Sequence, residues 1–157
     1  AALAEMELVQ DAIQAVRRVR VLTGVSERKP LAALFVAPRD HERAALETHA
    51  ASVRALALLE GYEVAAEGER PAGSAAAVAG GVQIFVQLGE DVDFEGLKAQ
   101  LAKKAEKLEK GIAQCDAKLG NERFVQNADP DVVAAERERR AELDVELTML
   151  RENLAGF

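Results

Sequence analysis

Leu101, Ala105, Leu108, Ile112, Cys115 and Leu119 follow one another at steps of four and three. After a gap, Val133, Glu136, Arg140, Leu143, Leu147, Leu150 and Leu154 take up the same rhythm. Such spacing lines one seam along a helix, and a seam needs a partner helix to cover it. Each run predicts a helix of roughly 22–26 residues, on the order of 35 Å long. Residues 120–129, which join the runs, are too short a link for anything but an antiparallel return. The expected product is a helical hairpin over 93–157 with its tip near 120–130, not a dimerising rod.

The joining stretch, "LGNERFVQNADPDVVAAERERR" from Leu119 to Arg140, carries its own stop and start signals. Gly120 and Asn121 both tolerate a left-handed backbone and can end the first helix. Asp129 is a good N-cap and Pro130 suits the first helical position. Between them, Phe124 and Val125 would plug the open end of the two-helix seam. Glu136 and Arg140 occupy seam positions, which is tolerable near a hairpin end that frays into water.

Upstream the periodicity changes. Leu3, Met6, Val9, Ile13, Val16 and Val19 form a helical stripe in residues 1–24, with Gly24 as the stop and Arg17, Arg18 and Arg20 near the C-terminal end. "LAALFVA" after Pro30 reads as a buried strand. Residues 41–60 read as one helix ending at Gly61, with Leu46, Val53, Leu56 and Leu59 on its apolar face. "YEVAAE" is a strand, and "GERPAGS" is a turn cluster. "AAAVAGGVQIFVQL" is a pair of strands turning at Gly80–Gly81, with Val82, Ile84, Val86 and Leu88 on one face. The expected class is α+β: an N-terminal helical segment (1–30), a small β-α-β-β-β module (31–92) and the antiparallel coiled-coil arm (93–157).

Composition narrows the possibilities. About half of the 157 residues are apolar, many of them alanine, with no tryptophan and only five Phe and one Tyr. That favours helices over a thick aromatic core. No apolar run approaches 18 residues, and Glu5, Glu7 and Asp11 interrupt the first apolar stretch, so neither a membrane span nor a signal peptide is expected. One cysteine rules out an internal disulfide framework and fits the cytosol. The chain opens on "AALAEMELV" without an initiator methionine, which points to a piece of something longer. The net charge of −7 comes from the middle: residues 31–96 hold four Lys/Arg against eleven acids, and the two ends are nearly neutral. An acidic chain is a poor generic nucleic-acid binder, but local basic stripes can still meet phosphate.

His41 and His49 lack a third ligand for a metal site. Cys115 falls in the seam as a small apolar filler with no base to activate it. "GSAAAVAGG" lacks the lysine of a phosphate loop and reads as a strand turn. Asp93, among Asp91 and Glu95, is a helix cap. No catalytic residue and no metal site are expected. The basic groups stand out instead. Lys103, Lys107 and Lys110 form one stripe, flanked by Lys98 and Lys104. Arg123, Arg137, Arg139 and Arg140 gather near the tip. Arg17 and Arg20 are candidates for RNA contact on the first helix. On spacing alone the lysine row reads first as a solvated coiled-coil face.

"LGNERFVQNADPDVVAAERERRAEL" between leucine heptads resembles the C-terminal arm of valyl-tRNA synthetases. The matching positions are Leu119, Asn121, Phe124, Pro130, Val132, Val133, Glu136 and Arg137. The proline sits one residue later than is common in that family, which moves the helix start slightly. "AIQAVRRVRVLTGVSERKPL" looks like the last helix of that family's anticodon-binding region, though with "VSERK" in place of its usual proline-serine-lysine loop. "GGVQIFVQLGEDVDFEGLKAQLAKKAEKLEK" is similar to its final strand, acidic linker and first arm helix.

The resemblance implies a tRNA-binding C-terminal region of a class I enzyme that attaches valine to tRNA(Val) with ATP and hydrolyses misattached threonine. The HIGH and KMSKS signatures are absent from these residues, so ATP, Mg and the chemistry would belong to other parts of the enzyme. It implies tRNA contact by Lys103, Lys104, Lys107, Lys110, Arg123, Phe124, Arg137, Arg139, Arg140, Arg17 and Arg20. It further implies a cytoplasmic, monomeric protein whose partners are tRNA(Val) and the rest of the synthetase chain. A protein-interaction hairpin and a freestanding RNA-binding paralogue are the alternative readings.

Overall fold

The computed structural model describes residues 2–157; Ala1, the first residue of the predicted N-terminal helix, lies outside them. The chain divides into two compact units, Ala1–Leu97 with Gly156–Phe157, and Lys98–Ala155. The helical segment 1–30 and the module 31–92, separate on the sequence reading, share the first unit.

That unit is a four-stranded sheet with helices against it. Strands β1 (Leu31–Val36), β2 (Leu59–Ala65), β3 (Ser74–Ala79) and β4 (Val82–Gln87) lie in the order β2-β1-β4-β3. β1 pairs parallel with β2 and antiparallel with β4, and β3 and β4 are antiparallel neighbours. The β3–β4 turn is the expected one: Ala79 faces Val82, and Gly80 takes φ 58 while Gly81 does not take a positive φ. A positive φ at the first turn position alone is the pattern of a II′ hairpin, whose twist suits the flanking strands. Val82, Ile84, Val86 and Leu88 are all fully buried, as their alternation predicts.

Helix α1 (Ala2–Thr23) packs on β3 and β4 and on the helices beside them. Val9, Ile13, Val16 and Val19 of its stripe are buried, whereas Leu3 and Met6 are exposed. β3 reads "SAAAVA", and its small side chains let a helix lie close to the sheet. At the other end of the unit, the Phe157 ring rests 5.7 Å from Phe94, and the Arg70 guanidinium lies 5.3 Å from the Phe157 centroid. A contact of that kind is worth about 0.5–1 kcal/mol at an exposed site.

The single helix expected over 41–60 is two: α2 (Asp40–Thr48) and α3 (Ala50–Ala57), broken at His49. The second ends well before Gly61. Leu58 adopts a left-handed φ of 53, and β2 is already under way at Leu59. The reason is the parallel partner: Leu31 pairs with Leu59, so the chain must leave the helix by residue 58. Leu46 and Val53 face the core as expected, Leu56 is exposed, and Leu59 is buried as a strand residue.

Candidate nucleic-acid interface

The second unit holds α4 (Phe94–Leu119) from Lys98 on, all of α5 (Glu122–Asn127), and α6 (Pro130–Gly156) as far as Ala155. Asp93 caps α4: its carboxylate accepts from the Gly96 amide at 3.1 Å and its carbonyl from Leu97 at 2.9 Å. Asp129 caps α6 in the same way, accepting from the Asp131 amide at 3.0 Å. The link is more ordered than a loop. Gly120 and Asn121 do not use a left-handed backbone. Asn121 instead N-caps α5, its side chain accepting from the amides of Arg123 and Phe124 at 3.0 and 3.4 Å. An asparagine that can satisfy two orphan amides favours starting a new turn over extending a loop. Phe124 and Val125 sit on that turn, half-buried.

α4 and α6 pack against each other. Leu101, Ala105, Cys115, Val133, Leu147 and Leu150 are buried, and Leu108, Ile112, Leu119, Glu136, Arg140, Leu143 and Leu154 are half-buried. Every heptad position therefore lies on the covered side. The cross-helix contacts run Glu109 with Arg151, Asp116 with Arg140, and Lys118 with Glu136. As α4 numbers rise, α6 numbers fall, so the pair is antiparallel. A Cβ placed on Gly111 would lie 3.2 Å from Leu143. These contacts fit a register with Ile112 level with Leu143. A one-heptad slip would set Leu108 against Arg140, yet Arg140 bonds Asp116, roughly 12 Å further along the helix.

The seam holds polar groups near the tip. Cys115 is fully buried; burial first, then the neighbouring Glu136 carboxylate, pushes its thiol above the usual range. Asn153, which no sequence feature singled out, is also fully buried, and its amide donates to the Met149 carbonyl at 2.9 Å.

The basic candidates sort by what already holds them. Lys103, Lys107 and Lys110 are exposed and form no ion pair among the described residues, and the same holds for Arg123 and Arg137. Lys104 is exposed but has a partner. Arg139 lies 3.9 Å from Glu136. Arg140 bonds Asp116 at 2.9 Å and lies 3.9 Å from Asp144, contacts that raise its already high pKa. Arg17 is exposed and donates to the Leu56 carbonyl at 3.1 Å.

Arg20 must be reassigned. It is 4% exposed and donates to four carbonyls: Ser26 at 2.9 Å, Lys29 at 2.6 Å, Ala57 at 3.0 Å and Leu58 at 2.8 Å. Burial lowers its pKa. It ties the loop after α1 to the α3–β2 junction and is not available to RNA. The helical stripe hid this, because Arg20 adjoins the buried Val19 and only the sheet brings residues 57–58 beneath it.

A profile of the valyl tRNA synthetase tRNA binding arm matches residues 93–157, the stretch that forms α4 to α6. The chain belongs to the valyl-tRNA synthetase family. It is 38% identical over 151 residues to a valine–tRNA ligase of Agrobacterium fabrum, covering 96% of this chain. The valine–tRNA ligase of Nitratidesulfovibrio vulgaris is 41% identical over 138 residues, and that of Geobacter sulfurreducens 37% over 140, covering 88% and 89% of this chain. In each case the chain spans only 16% of the relative's length. The synthetase arm resemblance seen in "LGNERFVQNADPDVVAAERERR" thus extends through the sheet unit, since these matches cover far more than the arm.

Proposed function

We propose that this chain is the tRNA-binding C-terminal region of a valine–tRNA ligase. In this reading α1 is the end of an anticodon-binding helical region, the sheet is a small supporting module, and the antiparallel coiled-coil arm contacts the outer corner of tRNA(Val). ATP-dependent attachment of valine belongs to parts of the ligase outside these residues, together with ATP and Mg. The observation that carries the reading is the unpaired Lys103–Lys107–Lys110 row on a helix whose sequence matches a tRNA binding arm. Affinity would come from phosphate contacts, with base stacking as a supplement.

The same reading makes the ligase a cytoplasmic monomer. No helix of the described residues is long and apolar enough to cross a membrane. Removing residues 97–157 from the full-length ligase should raise KM for tRNA(Val) and leave valine-dependent pyrophosphate exchange nearly unchanged. An arm-less ligase charging tRNA(Val) at unchanged KM would sink the proposal.

A further inference from the structure

The two long helices differ in what they show to solvent. α4 carries six lysines against four acids, and α6 carries four arginines against seven acids. On α4, Lys103, Lys107 and Lys110 lie at i, i+4 and i+7, opposite the seam. All three are exposed, and none is in an ion pair among the described residues. Glu106 is the acid nearest the row, and it too makes no ion pair. On α6, Glu138, Glu142 and Glu146 lie at i, i+4 and i+8, exposed and likewise unpaired; Glu138 lies opposite the seam, and the row drifts towards Glu146, which flanks it. Of the four α6 arginines, Arg139, Arg140 and Arg151 each face a carboxylate, which leaves Arg137 as the one α6 cation in no ion pair among the described residues. Positive potential therefore prevails on the exposed side of α4, and negative potential on that of α6, where three free glutamates stand against Arg137 alone.

Distance keeps the two faces independent. Packed helix axes lie about 8–10 Å apart, and each helix adds a radius of about 5 Å, so the outermost positions, Lys103 and Lys110 on α4 and Glu138 on α6, lie on faces nearly 20 Å apart. The Debye length at physiological salt is about 8 Å. A phosphate on the α4 face is thus screened from the α6 glutamates, and one on the α6 face gains little from the α4 lysines.

We propose that the arm is one-sided: the outer face of α4 takes the tRNA phosphates, and the Glu138–Glu142–Glu146 row repels RNA from the outer face of α6, so that the arm docks in one sense only. This rests on the tRNA-binding reading above. Repulsion on the wrong face is an economical way to fix orientation, because it acts before contact and costs the correct complex nothing.

The test uses the full-length ligase in four forms: unchanged, K103E/K107E/K110E, E138K/E142K/E146K, and lacking residues 97–157. Binding of tRNA(Val) and of an unrelated tRNA is measured across a salt series. Both triple variants change only exposed, unpaired side chains, so circular dichroism should show unchanged helicity. K103Q/K107Q/K110Q serves as a milder second version. The lysine reversal should weaken tRNA(Val) binding by about tenfold or more and flatten the salt slope by roughly 2–3, at 0.7–0.9 per phosphate lost. The glutamate reversal should keep tRNA(Val) binding within about twofold and tighten binding of the unrelated tRNA, with a steeper salt slope. Equal weakening by both reversals would overturn one-sidedness. So would a lysine reversal without effect in an enzyme whose arm deletion does weaken binding, which would leave the tRNA-binding reading intact. An arm deletion without effect would remove both.

Discussion

Replacing Arg20 by methionine keeps an unbranched apolar stem and removes all of the donors. Four carbonyls then lose a partner, those of Ser26, Lys29, Ala57 and Leu58. The bond to Ala57 is buried and the other three are part-buried. A buried acceptor left unsatisfied costs about 1–3 kcal/mol, and a part-buried one that water can reach costs nearer 0.5–1 kcal/mol. The expected loss is about 3–5 kcal/mol. Leu58 adds to it, because its left-handed backbone is unfavourable for a leucine and its carbonyl is held by both Arg20 and the Leu31 amide.

The chain supplies its own probe. Tyr62 is the only tyrosine, there is no tryptophan, and Tyr62 lies in the sheet unit. Urea unfolding followed by tyrosine fluorescence therefore reports that unit alone. For a unit of this size Tm should fall by well over 10 °C, at about 4–8 °C per kcal/mol. Lysine at position 20 should recover only part of the loss, since one ammonium cannot span four acceptors. A loss below about 1 kcal/mol would mean that water replaces the guanidinium, and the reasoning fails. Unchanged stability with weaker tRNA binding would return Arg20 to the RNA interface.

Three further outcomes are expected. Tyr62 donates to the Leu46 carbonyl at 2.7 Å, and burial, then Glu47, pushes its phenol up to about 12. Its absorbance step at 295 nm should come near pH 12, and the stability tied to the neutral phenol should be intact below pH 10 and lost between about 10 and 12; ionisation near pH 10 in the folded protein would contradict this. Cys115, buried beside Glu136, should react with a thiol reagent only as fast as the arm opens, and Glu136→Ala, which removes a carboxylate that holds the thiol protonated, should speed that reaction; a thiol modified at the rate of a free peptide would refute the burial. Phe124→Ala should cost the arm about 1–2 kcal/mol, in keeping with a half-buried ring, and leave tRNA affinity of the folded ligase unchanged; weaker binding at unchanged melting would instead assign Phe124 to base stacking.

Much of the architecture was legible residue by residue. The heptads named the covered side of both arm helices, Asp93 and Asp129 capped the helices they were expected to cap, and the alternation from Val82 to Leu88 marked the buried face of β4. These features repeat with the period of the element that contains them, so a single strand or helix is enough to read them. The basic residues were legible only as candidates. Which of them are free depends on their partners: Asp116 for Arg140 and Glu109 for Arg151 from the facing helix, and Glu136 for Arg139 within its own. The first two follow from the register of α4 against α6. The end of α3 at Leu58 and the burial of Arg20 were likewise decided elsewhere, by the pairing of Leu31 with Leu59. Local periodicity settles which face of an element is apolar. Whether a charge on the other face meets a carboxylate, a carbonyl or water is settled by where the rest of the chain is folded against it.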